Sequence, residues 1–364
     1  MKEFFISFGA AFVVTIFLTP LVRRLAIRIN AVDVPEEKKV HESPTPTLGG
    51  IAIFSGVIAG FLVYFAISDY KISADIIGIM IGALVILICG IIDDIRPLSP
   101  PAKVFGQVLA AGIPIIMGVQ IQSMYIPGFS IVSFSTELSV VISLIWIIAF
   151  MNAINLIDGL DGLAAGITCI AAASIFYYST RVGVIGVYVE AALISIVLAG
   201  ATLAFLRYNF NPASIFMGDS GSMLLGFLLG TSTIQGMLKS VAATALFIPL
   251  IALGIPLLDT GMAVIRRAFK GAAITNRDKE HLHYRLMAIG HSHRKAVLIL
   301  YFWTALLCVA SLMVRFMASS VKLWLVLLLA FGIGFALTSY PRLHAAPAKK
   351  GKHRVRRKKN GNGE

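Results

Sequence analysis

Six aspartates, Asp93, Asp94, Asp158, Asp161, Asp219 and Asp259, border long apolar runs in this chain. An ionisable group beside a bilayer is expensive to keep and by default points to function. Asp93 and Asp94 follow Ile91-Ile92 at the end of one run. Adjacent carboxylates repel, and more strongly as the local dielectric falls. A divalent cation or the proton of a partner phosphate would relieve them. The plainer alternative is two solvated acids that stop a helix. The stretch Asn152–Gly162 joins two further runs and holds Asn152, Asn155, Asp158 and Asp161 with no cation. Asp158 and Asp161 share one helical face if the next span begins that early. Asp161 could instead cap that span, which explains one acid but not both. Gly159 and Gly162 would let backbone approach a ligand closely. Asp219 stands in Phe216-Met217-Gly218-Asp219-Ser220-Gly221-Ser222, just before a helix start. It is either a metal carboxylate or an N-cap.

Cations form a second set. Lys38, Lys39 and His41 precede Thr45-Pro46-Thr47-Leu48-Gly49-Gly50, where the prolines keep the chain extended. Close packing is the favoured use of Gly49 and Gly50, with Gly56 and Gly60 continuing the small face. Lys103 follows Pro97, Pro100 and Pro101 and could meet phosphate or simply snorkel. Residues 264–295 hold Arg266, Arg267, Lys270, Arg277, Lys279, His281, His283 and Arg285. His281-x-His283 is a weak metal signal by itself. Oxygen ligands suit Mg²⁺ and not zinc, and a nearby ring of cations suits a diphosphate. Phe216 could stack on a nucleobase, although packing is the commoner use of a single Phe. Neither a Walker A pattern nor a G-x-G-x-x-G fingerprint is present.

The elements that must carry these residues are membrane helices. The chain has 364 residues, of which 58% are hydrophobic and 13% charged. Its mean hydropathy is +0.87. Soluble domains carry about 25% charged residues, so a soluble core is excluded. Eleven runs approach the length needed to span: 4–22, 49–68, 75–92, 103–119, 137–154, 163–180, 183–205, 220–237, 242–263, 296–316 and 322–340. They do not alternate, which argues against a membrane barrel. The first is too long, and lacks the small-residue cleavage site, for a removable signal peptide. With the N-terminus outside, 25 of the 31 Lys and Arg residues fall on the inner side, as the positive-inside rule requires. All six aspartates then share the inner side. Residues 120–136 read as a small outer hairpin. Glu190 is the one acid read as deep in the bilayer. Residues 1–341 thus form a polytopic all-α membrane domain, with a disordered polybasic tail at 342–364. That tail lacks aromatics for stacking, so nucleic acid is not expected. Cys89, Cys169 and Cys308 lie inside apolar runs and mark no disulfide framework.

Five of these segments, in this order, resemble the polyprenyl-phosphate N-acetylhexosamine-1-phosphate transferase family (glycosyltransferase family 4). They are Thr45–Gly50, Gly90-Ile91-Ile92-Asp93-Asp94, Asn152–Gly162, Phe216–Ser222 and His281-Leu282-His283. The resemblance covers about residues 10–340. It implies a bacterial plasma-membrane enzyme with a cytosolic active site. It implies transfer of a sugar 1-phosphate from a UDP-sugar to undecaprenyl phosphate, with UMP released. Leu282 interrupts the three consecutive histidines typical of the relative that uses UDP-N-acetylmuramoyl-pentapeptide. That favours UDP-N-acetylglucosamine, as in the branch that initiates teichoic acid and O-antigen synthesis. That branch often has a second histidine where this chain has Tyr284.

Carried over by resemblance, Asp219 is the Mg²⁺ ligand, with Asp93 and Asp94 beside it. One of that pair deprotonates or orients the acceptor phosphate. Asn155, Asp158 and Asp161 match the donor-binding motif. Asn209 and Phe216 match the nucleoside pocket. His281, His283 and Arg285 match the region that meets the diphosphate or sugar. Apart from the resemblance, Lys38, His41 and Lys103 could meet phosphate by residue type and position. The expected cofactor is Mg²⁺, with Mn²⁺ as a substitute. The expected partners are both substrates, membrane lipids and a second copy in a homodimer. Direct attack by the polyprenyl phosphate is favoured over an aspartyl-phosphate intermediate. The rivals are the N-acetylmuramoyl-pentapeptide transferase, a carboxylate-lined transporter and a non-catalytic membrane scaffold that recruits through its basic tail.

Overall fold

The helix that organises this protein is one of the least apolar. In the computed structural model, which describes residues 1–34, 44–126, 130–181, 188–238, 287 and 290–316, nine helices occur among the described residues. They are α1 (Lys2–Arg28), α2 (Gly49–Ile67), α3 (Ala74–Ile95), α4 (Pro100–Ile116), α5 (Thr136–Ile157), α6 (Leu163–Arg181), α7 (Val189–Asn209), α8 (Gly218–Leu238) and α9 (His293–Phe316). Seven of them, α1, α2, α3, α5, α6, α7 and α9, are long and apolar enough to cross a membrane. The protein is therefore a multi-pass helical membrane protein. α4 is shorter, and α8 is diluted by Gly226, Gly230, Thr231, Ser232, Thr233 and Gln235. Small and hydroxyl residues are the ones that let helices approach closely inside a bundle. α8 is buried along nearly all its described length, packed against α2, α3, α5, α6 and α7. α1 lies at the rim, with Phe5, Phe17 and Leu21 exposed.

Glycines set the helix spacing. A Cβ on Gly56 would meet the Thr15 hydroxyl at 1.9 Å, and one on Gly60 would meet Val197 at 2.5 Å. α2 thus lies directly on α1 and α7, as the small face predicts. Residues Ser123–Ile126 (β3) and Ser130–Ser133 (β4) pair antiparallel, which confirms the small hairpin. A second pair, Val32–Asp33 (β1) with Thr45–Pro46 (β2), closes the chain between α1 and α2.

Two expectations are corrected. Asp158 and Asp161 do not share a helical face: α5 ends at Ile157, α6 begins at Leu163, and both acids lie in the turn between. Gly162 has φ +81° there, which is why the helix cannot start earlier. Glu190 lies at the end of its helix and not mid-span: it is in the first turn of α7, hydrogen-bonded to Tyr70 of the α2–α3 connection. The runs at 242–263 and 322–340 and the tail at 342–364 lie outside the described residues.

Candidate active site

The first turn of α8 has free backbone N–H groups, as every helix start does. Here a side chain from another helix takes them. Asp94, in the last turn of α3, accepts from Asp219 N at 2.7 Å and from Ser220 N at 3.2 Å. It also accepts from Ser220 Oγ at 2.7 Å. Asp94 therefore caps α8 from across the helix interface. The approach needs glycines. Gly218 has φ +71°, and a Cβ there would meet the Asp94 carboxylate at 2.3 Å. A Cβ on Gly90 would meet Ser220 Cα at 2.3 Å, and one on Gly50 would meet Gly221 N at 2.5 Å. Gly49 N and Gly50 N donate to Phe216 O and Met217 O, each at 3.1 Å, and Phe216 N donates to Pro46 O at 2.8 Å. The Thr45–Gly50 segment is thus a backbone strut under the start of α8. Leu48 turns it with φ +74°.

With Asp94 committed to α8, Asp93 faces the other way. Its Oδ1 accepts from Leu98 N at 2.7 Å. Its Oδ2 lies 2.9 Å from Lys103 Nζ, and the same ammonium lies 2.9 Å from Asp219 Oδ2. Lys103 reaches this point from the first turn of α4, which Pro100 starts. Asp219 Oδ1 accepts from Asn155 Nδ2, which also donates to Ser222 Oγ at 2.8 Å. Asp158 follows at the C-terminal cap of α5, half-buried. Its carboxylate makes no hydrogen bond among the described residues. Burial, and then the charges of Asp219, Asp94 and Asp161, push the Asp158 carboxyl well above the usual carboxylate range. The sequence thus brings Asp93, Asp94, Lys103, Asn155, Asp158 and Asp219 to one end of the bundle.

The remaining expected donor residues divide differently. Asp161 Oδ2 accepts from Asn211 Nδ2 at 2.9 Å and from Ala213 N at 3.0 Å. Asn209 is buried; its Oδ1 accepts from Gly162 N at 3.1 Å and its Nδ2 donates to Ile215 O at 3.0 Å. With both ends of its amide engaged, Asn209 shapes the 210–217 loop and does not line an open pocket. Arg23 Nε and Arg294 Nε brace the same loop through Ser214 O and Asn211 O, both at 3.0 Å. Phe216 is half-buried on that loop. Lys38, His41, Asp259, His281, His283 and Arg285 lie outside the described residues.

Sequence reasoning missed two contributors. Ser220 pins Asp94, and its only signal was membership of the Asp219 segment. Gln107 is fully buried in α4 and exchanges hydrogen bonds with Asn152 of α5, at 3.2 and 3.0 Å. A lone amide in an apolar run is the trace such a residue leaves.

Among the described residues, no three Asp, Glu, His or Cys side chains converge closely enough to hold a metal by themselves. Two carboxylates do converge, Asp93 and Asp219. This fits Mg²⁺, which keeps several waters and takes one or two protein carboxylates plus substrate phosphates. The donors are all hard oxygens, which a zinc site would not favour.

These features define a polytopic membrane protein with a cation-ready carboxylate site at one end of its bundle. The glycosyl transferase family 4 model matches residues 76–237, from α3 through α8. A probable undecaprenyl-phosphate N-acetylglucosaminyl 1-phosphate transferase of Bacillus subtilis is 36% identical over 91% of this chain and 89% of its own length. A decaprenyl-phosphate N-acetylglucosaminephosphotransferase of Mycolicibacterium smegmatis is 38% identical over 82% of this chain and 78% of its own. An undecaprenyl-phosphate alpha-N-acetylglucosaminyl 1-phosphate transferase of Escherichia coli is 27% identical over 90% and 87%. The chain belongs to glycosyl transferase family 4.

Proposed function

We propose that this protein transfers N-acetylglucosamine 1-phosphate from UDP-N-acetylglucosamine to undecaprenyl phosphate, with release of UMP. The observation that carries this is the convergence of Asp93, Lys103 and Asp219 on the start of α8, in a chain so like the Bacillus subtilis transferase along its length. An acceptor phosphate oxygen attacks the sugar-bearing phosphorus of the donor. A new diphosphate bond forms and the bond to UMP breaks. Charge opposes the approach of two phosphates, so positioning and neutralisation dominate catalysis. Mg²⁺, when bound through Asp93 and Asp219, neutralises the donor diphosphate and the leaving oxygens.

The protein residues divide the rest. Asp94 cannot serve as base without releasing the first turn of α8. Asp93, free of that duty, would hold the metal with Asp219 and orient the acceptor phosphate beside it. Lys103 supplies positive charge to the diphosphate. Asp158 and Asn155 border the donor side. The site faces the cytosol of a bacterial cell, where UDP-sugars are made, and the excess of inner-side cations supports that orientation. The lipid acceptor enters laterally from the bilayer.

Purified protein in detergent, given undecaprenyl phosphate, Mg²⁺ and each UDP-sugar in turn, tests this. UMP should appear with UDP-N-acetylglucosamine. UMP only with UDP-N-acetylmuramoyl-pentapeptide would assign the peptidoglycan donor, and none with either would overturn the transferase assignment.

A further inference from the structure

One cation sits among the site carboxylates of the described residues, and it occupies a specific pair of oxygens. Asp93 Oδ1 is held by Leu98 N and Asp219 Oδ1 by Asn155. The two Oδ2 atoms are left to face a common point. The Lys103 ammonium is at that point, 2.9 Å from each. A divalent ion using both aspartates must take the same two oxygens. Mg²⁺ binds oxygen at about 2.0–2.1 Å, so it needs them drawn closer than the ammonium holds them. The two cations cannot share the position.

We propose that Lys103 keeps the metal's place between Asp93 and Asp219 in the resting enzyme and is displaced when the divalent cation binds. This rests on the Mg²⁺ assignment above. The placeholder has a reason to exist. Two carboxylates that face one point repel each other. The lysine holds their Oδ2 atoms around one point until the metal arrives. Displacement is local, because the lysine stem is anchored on the first turn of α4, with Lys103 N donating to Ser99 O at 3.0 Å. The freed ammonium stays at the mouth of the site and meets the donor diphosphate. A point charge on a flexible stem suits that exchange, whereas a planar, forked guanidinium does not.

The test measures metal binding and not only turnover. Mn²⁺ binding to the full-length protein in detergent, followed by electron paramagnetic resonance without either substrate, compares wild type with Lys103→Met. The variant, freed of its internal competitor, should bind Mn²⁺ about tenfold more tightly and release UMP at least about a hundredfold more slowly. Equal or weaker Mn²⁺ binding by the variant, with binding intact in wild type, overturns the placeholder and leaves the metal site standing. No Mn²⁺ binding by either protein overturns the metal assignment itself. A wild-type measurement covers the case in which Lys103→Met fails to fold. Acetylation of Lys103 by a water-soluble ester, read by mass spectrometry against exposed Lys71, should speed up severalfold when Mg²⁺ is added. Unchanged or slower acetylation sinks the displacement.

Discussion

Asp94 accepts three hydrogen bonds from the first turn of α8, while Asp93 accepts one from Leu98 and meets Lys103. Neighbouring aspartates therefore answer to different experiments. Asp94→Ala leaves two helix-start N–H groups without their acceptor, a loss of about 1–2 kcal/mol in stability. Asp93→Asn keeps an acceptor for Leu98 N and leaves Lys103 paired with Asp219, so it should cost less stability than Asp94→Ala yet cut UMP release by about a hundredfold or more. Thermal unfolding in detergent beside the UMP assay separates the two; a larger stability loss at Asp93 would reverse the assignment. Asp158 gives a pH signature. Its folded carboxyl lies above the usual range, mainly through burial and then through Asp219, Asp94 and Asp161. The folded state therefore holds that proton more tightly than the unfolded chain. Its contribution is present at low pH and is lost as pH rises through the folded value. In chelator, Asp158→Asn should unfold at a higher temperature than wild type, with the gap widening above the ordinary carboxylate range, and it should lose activity. A gap that narrows with pH would contradict the cause given.

At the scale of elements, the start of α8 is where three helices meet with almost no side chain between them. Gly90→Ala and Gly50→Ala would each drive a methyl into α8 backbone, at 2.3 and 2.5 Å. Overpacking of this kind costs about 1–3 kcal/mol. Gly112 in α4 has nothing within 4 Å of an added Cβ, so Gly112→Ala should be neutral or raise stability by up to about 1 kcal/mol. Thermal unfolding of the three variants checks the contrast. The same elements show what a sequence makes legible. Continuous apolar runs predict every described helix, because spanning length and composition are local properties. The gathering of Asp93, Asp158 and Asp219 was legible from their shared side. The trans cap by Asp94 was not, since its partners lie 125 and 126 positions away. Nor was the hold of Asp161 on Asn211 and Ala213, because a loop contact leaves no periodic trace.

At the scale of the molecule, the ends of α3 and α5 and the starts of α4 and α8 all lie at one end of the bundle, joined there by Asp93, Lys103, Asn155 and Asp219. The α2–α3 connection is at the opposite end, since α3 separates the two. Charge supports the proposed orientation, with the site end facing in. Counted along the sequence, a topology with an outer N-terminus puts 25 of 31 Lys and Arg residues on the inner side, and such a bias orients short-looped membrane proteins. Two exposed positions, Asp69 before α3 and Ser99 after it, turn this into an experiment. Cys89, Cys169 and Cys308 are first replaced by serine or alanine. Single cysteines are then introduced as Asp69→Cys and Ser99→Cys. In intact bacterial cells a membrane-impermeant maleimide should label the first and spare the second, and permeabilisation should expose the second. Labelling of Ser99→Cys in intact cells would put the carboxylates on the outer face, away from the UDP-sugar pool, and the transferase reaction proposed above could not then run in vivo.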